Sequence, residues 1–150
     1  MARLPTYFIS HGGGPWPWLP NMRQMLASLE VSLARMPAAS RFGVFEMGMN
    51  HTDEITPLTK MVKPHVAIIT TVAPVHIEHF PEGLAGIAKA KAEIFNGMDE
   101  HGIAILNHDN SQFEVLKDAA QKCGIKKIFS FGKSEGADAQ LLDCLIATNG

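Results

Sequence analysis

The chain has 150 residues, 46% hydrophobic and 19% charged, which suits one domain with a real core and excludes a disordered chain. A formal charge of −2 gives no electrostatic case for nucleic acid or an anionic membrane. Cys123 and Cys144 lack metal-type spacing, no apolar run would span a bilayer, and MARLPTYFIS has no signal-peptide apolar core, so a cytoplasmic location is expected.

Residues 4–10, LPTYFIS, read as a strand. HGGGPWPWLP (11–20) is a Gly/Pro-rich turn. Residues 21–36 then read as a helix. Met22, Met25, Leu26, Leu29, Leu33 and Met36 have helical spacing, Asn21 suits an N-cap and Pro37 ends the run. The methionine stripe reads as core. PAASR (37–41) is linker-like, and FGVFEMGM (42–49) reads as a buried strand. A polar turn over 50–53 leads to a short helix over about 54–62, which Lys63-Pro64 stops.

HVAIITTV (65–72) is rich in β-branched residues and gives the strongest strand signal. A turn with His76 and His79 follows, then a helix, with Gly97 and Gly102 bracketing the turn after it. At 100° per residue, Leu84, Ile87, Ala88, Ile94, Phe95 and Met98 share one face of that helix. Lys91 lies near the centre of this face, while Lys89 and Glu93 lie on the other. A strand over 103–106, a polar turn over 107–111 and a helix ending at Gly124 come next. A strand over 125–131, a loop over 132–138 and a last strand over 139–147 complete the pattern.

Alternating strands and helices predict a single α/β domain. The expected architecture is a three-layer sandwich, with a mainly parallel sheet of about five or six strands and helices on both faces. In such sheets ligands bind at the carboxyl ends of the strands. His11, the 46–53 stretch, His76 to His79 and the 107–110 turn should therefore share one rim.

Several residues in this rim carry chemistry. A lysine in an apolar stripe is costly unless it is paired, snorkels or is chemically changed. Lys91 therefore either snorkels or converges with His76 on one charged site. Glu46 ends an otherwise apolar strand, where a carboxylate is usually paired or bound to a cation. A hard cation such as magnesium prefers that carboxylate and a phosphate to a histidine cage. His76 and His79 have i,i+3 spacing that suits a metal, but they sit in a turn. Asn107 and Asp109 either help hold a ligand or cap the next helix. His11-Gly12-Gly13-Gly14 reads equally as an anion turn or a capped tight turn. Gly132-Lys133-Ser134 looks like the end of a phosphate loop, but Lys127 stands where the motif needs glycine.

Two stretches resemble known families. FGVFEMGMNHTDEITPLTKMVKPHVAIITTVAPVHIEHF, IAKAKAEIFNGM and AILNHDNSQF make residues 41–150 resemble the central ATP-binding domain of the Mur ligases, of the MurF type. RLPTYFISHGGGPWPWLPNMRQML makes residues 1–36 resemble the start of LigB-like class III extradiol dioxygenases, which include DOPA dioxygenases. The resemblances together imply a chimera, with a join at 37–41 and a ligase-like segment over 42–150.

The MurF-type resemblance implies an enzyme that adds D-alanyl-D-alanine to a UDP-muramoyl peptide by activating a carboxylate with ATP and magnesium. It implies magnesium at Glu46 and His76 and a carbamylated Lys91, with Asn107 and Asp109 as the candidates for holding a nucleotide. The GKT/S phosphate loop is missing, so no complete ligase cycle is expected, only residual magnesium or nucleotide binding. The dioxygenase resemblance implies iron or zinc at His11, in a metal-dependent oxygenase. A third reading is a structural domain that forms a homodimer through exposed sheet edges.

Overall fold

The β-branched and aromatic runs of the sequence form the strands, and the runs with helical spacing form the helices between them. The structure, a computed structural model, describes residues 6–10, 22–37 and 39–144. In order these form β1 (Thr6–Ser10), α1 (Met22–Ala34), β2 (Gly43–Glu46), α2 (Ile55–Val62) and β3 (Val66–Ile69). Then follow α3 (Leu84–Ala92), β4 (Ile103–Asn107), α4 (Phe113–Lys122), β5 (Lys127–Gly132) and β6 (Ala139–Gln140). The strands make one six-stranded sheet in the order β2-β1-β3-β4-β5-β6, and every pairing is parallel. The fold is α/β, and its strand number meets the expectation.

Register explains the burial. Ala67 pairs with Ala104 and Ile69 with Leu106, and all four have no exposed surface. They join Ile55, Leu58, Ile87, Ile94, Phe95, Leu116 and Ala120 in one core, so α2, α3 and α4 all feed it. Leu26, Leu29 and Leu33 of α1 pack against this core, half-buried. The opposite sheet face is less closed. Ile68 and Ile105 are half-buried, and Phe129 is 49% exposed.

Two elements end sooner than the sequence suggests. The helix expected to run up to the turn at Gly97 is α-helical only to Ala92, and Glu93–Gly97 winds on as a 3-10 turn. Tighter winding brings Gly97 against Thr59 of α2, where a Cβ would lie 2.2 Å from the Thr59 carbonyl oxygen. The last strand, expected over 139–147, pairs only at Ala139 and Gln140. Its partner β5 ends at Gly132, so no further ladder is available to it, and Leu142 is left 86% exposed. Residues 145–147 of that expectation lie outside the described residues.

Candidate functional site

The carboxyl ends of β2, β1 and β3 lie side by side, because β1 pairs with both neighbours. The chain runs outward from β1 to β2 and then crosses back to β3. Such a reversal at the carboxyl edge of a parallel sheet is where ligands bind. Glu46 is the last residue of β2, and His76 follows β3 in the turn before α3. Both residues therefore lie in segments that leave the carboxyl edge of the sheet. His11 lies outside the described residues, as do the other residues of the Gly-rich turn.

Lys91 is 5% exposed and sits on α3 between buried Ala90 and Ala92. A snorkelling lysine keeps its head in open water, whereas only 5% of the whole Lys91 surface is exposed. Burial pushes the ammonium below the ordinary lysine range, because removal from water penalises the charged form. Glu46 is half-buried, with its Oε1 closed off from solvent. His76 is half-buried at φ 57°, a left-handed conformation that non-glycine residues rarely adopt. Such conformations persist only where the surroundings impose them, and they cluster at functional sites.

Three histidines gather beside this turn. The rings of His76 and His79 stack at 6.4 Å, and those of His79 and His51 meet at 4.5 Å. Glu54 organises the loop carrying His51. Its Oε2 accepts from the Asn50 and His51 amides at 2.7 and 3.2 Å, and its Oε1 lies 3.3 Å from His51 Nδ1. Among the described residues, no three His, Cys, Asp or Glu side chains are gathered so as to hold a metal ion. Magnesium does not require such a cage. It usually takes one or two carboxylates and fills its octahedron with water and phosphate oxygens. Glu46 as a hard oxygen donor, with His76 on the same rim, fits that mode.

Asn107 and Asp109 are engaged in the fold. Asn107 donates to the Thr70 carbonyl at 2.9 Å, and its Oδ1 accepts from the Asp109 amide at 2.9 Å. The Asp109 carboxylate accepts the amides of Lys133 at 2.6 Å and Ser134 at 3.0 Å. These bonds favour the charged form and hold Asp109 down at about 2. The Lys133 and Ser134 amides thus do bind an anion, but it is a side chain of the same protein. A cleft of about 490 Å³ opens beside them, walled by Phe131, Ala139 and Leu141.

Periodicity alone did not mark Glu93. The sequence places it on the helix face away from the core, yet its carboxylate reaches α2. It accepts from the Asp53 amide at 2.5 Å, the Thr56 amide at 3.0 Å and Thr56 Oγ1 at 3.1 Å. Partners 37 and 40 residues away leave no local spacing signal to read.

Comparison with known proteins identifies the family of the fold. Residues 21–147 match the family model described as the Mur ligase middle domain. That match includes α1, so it reaches back past the expected join at 37–41. The UDP-N-acetylmuramoyl-tripeptide–D-alanyl-D-alanine ligase of Rickettsia prowazekii is 37% identical over 114 residues, covering 76% of this chain and 25% of that protein. The Escherichia coli enzyme of the same name is 41% identical over 83 residues, covering 55% and 18%. The chain thus spans a quarter or less of the length of these relatives. A crystal structure of MurF from Acinetobacter baumannii superposes with a TM-score of 0.69 at 26% identity, over 90% of this chain and 32% of that one. MurF from Thermotoga maritima in complex with ADP shares the fold, with a TM-score of 0.73 at 21% identity, over 97% and 36%. With its parallel sheet and a family match over most of its length, the chain belongs to the Mur ligase family, through the middle domain.

Proposed function

We propose that this chain carries part of the metal and nucleotide site of a MurF-type amide ligase, centred on Glu46, His76 and Lys91. The observation that carries the reading is the burial of Lys91. An amine withdrawn from water favours its neutral form. A neutral amine has the free electron pair that attacks carbon dioxide. The N–C bond forms, one proton leaves, and the product is a carbamate anion. The lysine then becomes an oxygen donor, on a helix that follows the His76 turn. Glu46 and His76 would hold magnesium, which when bound neutralises phosphate charge. His76 is fixed for that role by its left-handed backbone.

The relatives are named for joining D-alanyl-D-alanine to a UDP-N-acetylmuramoyl tripeptide, and that substrate class is the one proposed for the parent activity. The sequence has no GKT/S phosphate loop. Positioning of phosphates supplies most of the catalysis in such chemistry. Retained magnesium or nucleotide binding is therefore proposed, rather than a complete ligation cycle. No described residue lends specific support to the dioxygenase reading of residues 1–36. The distinctive residues of that reading, 11–20, lie outside the described residues.

The test is 13C NMR of the chain in 13C-labelled bicarbonate. One carbamate resonance that is absent in Lys91→Met supports the reading. No such resonance at any bicarbonate concentration, with the fold intact, refutes carbamylation of Lys91.

A further inference from the structure

We infer that Glu93 is a positioning residue, which locks the His51-bearing turn to the helix of Lys91 and so fixes the histidine side of the site against its lysine side. The inference rests on the reading of Lys91 and His76 as site residues. Its geometric core stands apart from that reading.

Three observations support it. First, the N-terminus of α2 has no side-chain cap of its own. Glu54, at its N-cap position, makes no capping bond and is spent on the amides of Asn50 and His51. The unpaired amides of a helix start need an acceptor, and Glu93 supplies it from another element. Second, Asp53 has φ 66°, a left-handed conformation unusual for a non-glycine residue. Its amide is one of the groups that Glu93 holds. A strained turn persists only where neighbours impose it, and Glu93 is one such neighbour. Third, Glu93 stands two residues after Lys91, so the clamp acts directly on the end of the lysine helix.

The clamp is relayed to the histidines by contact. The turn it holds carries His51, whose ring meets His79, and His79 stacks on His76. The rest of the α2 contact is held independently. Thr59 Oγ1 donates to the Ile94 carbonyl at 2.6 Å, and Asn96 Nδ2 donates to Thr56 Oγ1 at 3.0 Å. Loss of Glu93 should therefore loosen the turn without detaching the helix. Loss of Asn96 should weaken the same interface and leave the turn in place.

The experiment compares the whole chain with Glu93→Ala, Glu93→Gln and Asn96→Ala by NMR. Two signals are read, amide exchange at Asp53 and Thr56, and the ring resonances of His51 and His79. In Glu93→Ala the two amides should exchange about tenfold faster, the factor that loss of a charge-assisted bond carries. The histidine rings should shift, while amides of Ile105 and Leu106 stay protected. Glu93→Gln, which keeps one acceptor oxygen, should recover part of the protection. Asn96→Ala should leave both signals unchanged. If Glu93→Ala moves neither signal, or Asn96→Ala moves both equally, Glu93 is not a positioning residue. Absence of any carbamate in the unmutated chain would overturn the Lys91 reading alone, because neither of these signals depends on it.

Discussion

Gly97 and Thr59 are in contact that admits no side chain at position 97. A Cβ there would lie 2.2 Å from the Thr59 carbonyl oxygen and 2.4 Å from its Oγ1. The obstacle is largely backbone, so it cannot rotate away. This contact seats the segment after Lys91 on α2. Gly97→Ala should destabilise the chain by about 3 kcal/mol, the upper range for overpacking a close contact. Urea denaturation of both forms measures it, and a change below about 0.5 kcal/mol, the level of an ordinary surface substitution, counts against the contact.

Gly124 offers the opposite case. It ends α4 region at φ 83°, with nothing within 4 Å of a built Cβ. Only backbone conformation opposes a side chain here. Gly124→Ala should cost about 1 kcal/mol, the penalty of the left-handed conformation for an L residue. A cost near that of Gly97→Ala in the same denaturation series would contradict this separation of space from conformation.

Lys91 makes a prediction that separates stability from binding. Burial penalises the charged form of the Lys91 ammonium, and Lys91→Met removes that titrating group. In bicarbonate-free buffer, Lys91→Met should therefore lose the pH dependence of stability that Lys91 gives the unmutated chain. The folded value is lowered, so the unfolded chain binds more protons between the folded value and the ordinary 10.5. Stability of the unmutated chain therefore rises with pH through that window. The stability of Lys91→Met relative to the unmutated chain should fall as pH climbs through that window and level off above about 10.5. A pH-independent difference would mean that proton binding at Lys91 is not its cause.

Asp109 predicts the acid limb. Its folded value lies below the ordinary 3.8, at about 2, because the Lys133 and Ser134 amides bond its charged form. A lowered carboxylate contributes fully above the unfolded value and loses that contribution as pH falls through the folded one. The 132–138 loop should stay attached above about pH 4 and loosen progressively towards pH 2. Amide exchange at Lys133 and Ser134 follows this directly. Asp109→Asn should show fast exchange at both amides even at neutral pH.

Much of this fold could be read from pattern. The order of strands and helices follows from the spacing of apolar residues, and the place of Lys91 on an apolar face was visible at 100° per residue. Its depth was not, because periodicity gives a direction and not the thickness of what lies above it. Glu46 was legible as a carboxylate closing an apolar strand. Glu93 was not, since its partners Asp53 and Thr56 are distant in sequence. Asn107 and Asp109 read equally as ligand groups or as fold groups. Their bonds to Thr70, Lys133 and Ser134 place them in the fold. The early end of the last strand was hidden for a similar reason, because strand length depends on the partner β5.

The central claim is a retained magnesium and nucleotide site, and the melting temperature with magnesium and ATP tests it most directly. A ligand at about ten times its dissociation constant stabilises the native state by about 1.4 kcal/mol, or roughly 3 °C for a chain of this size. The account predicts an upward shift that needs both magnesium and ATP and disappears in Glu46→Ala and Lys91→Ala. An unchanged melting temperature at millimolar ATP and magnesium, or an equal shift in Glu46→Ala, would contradict it.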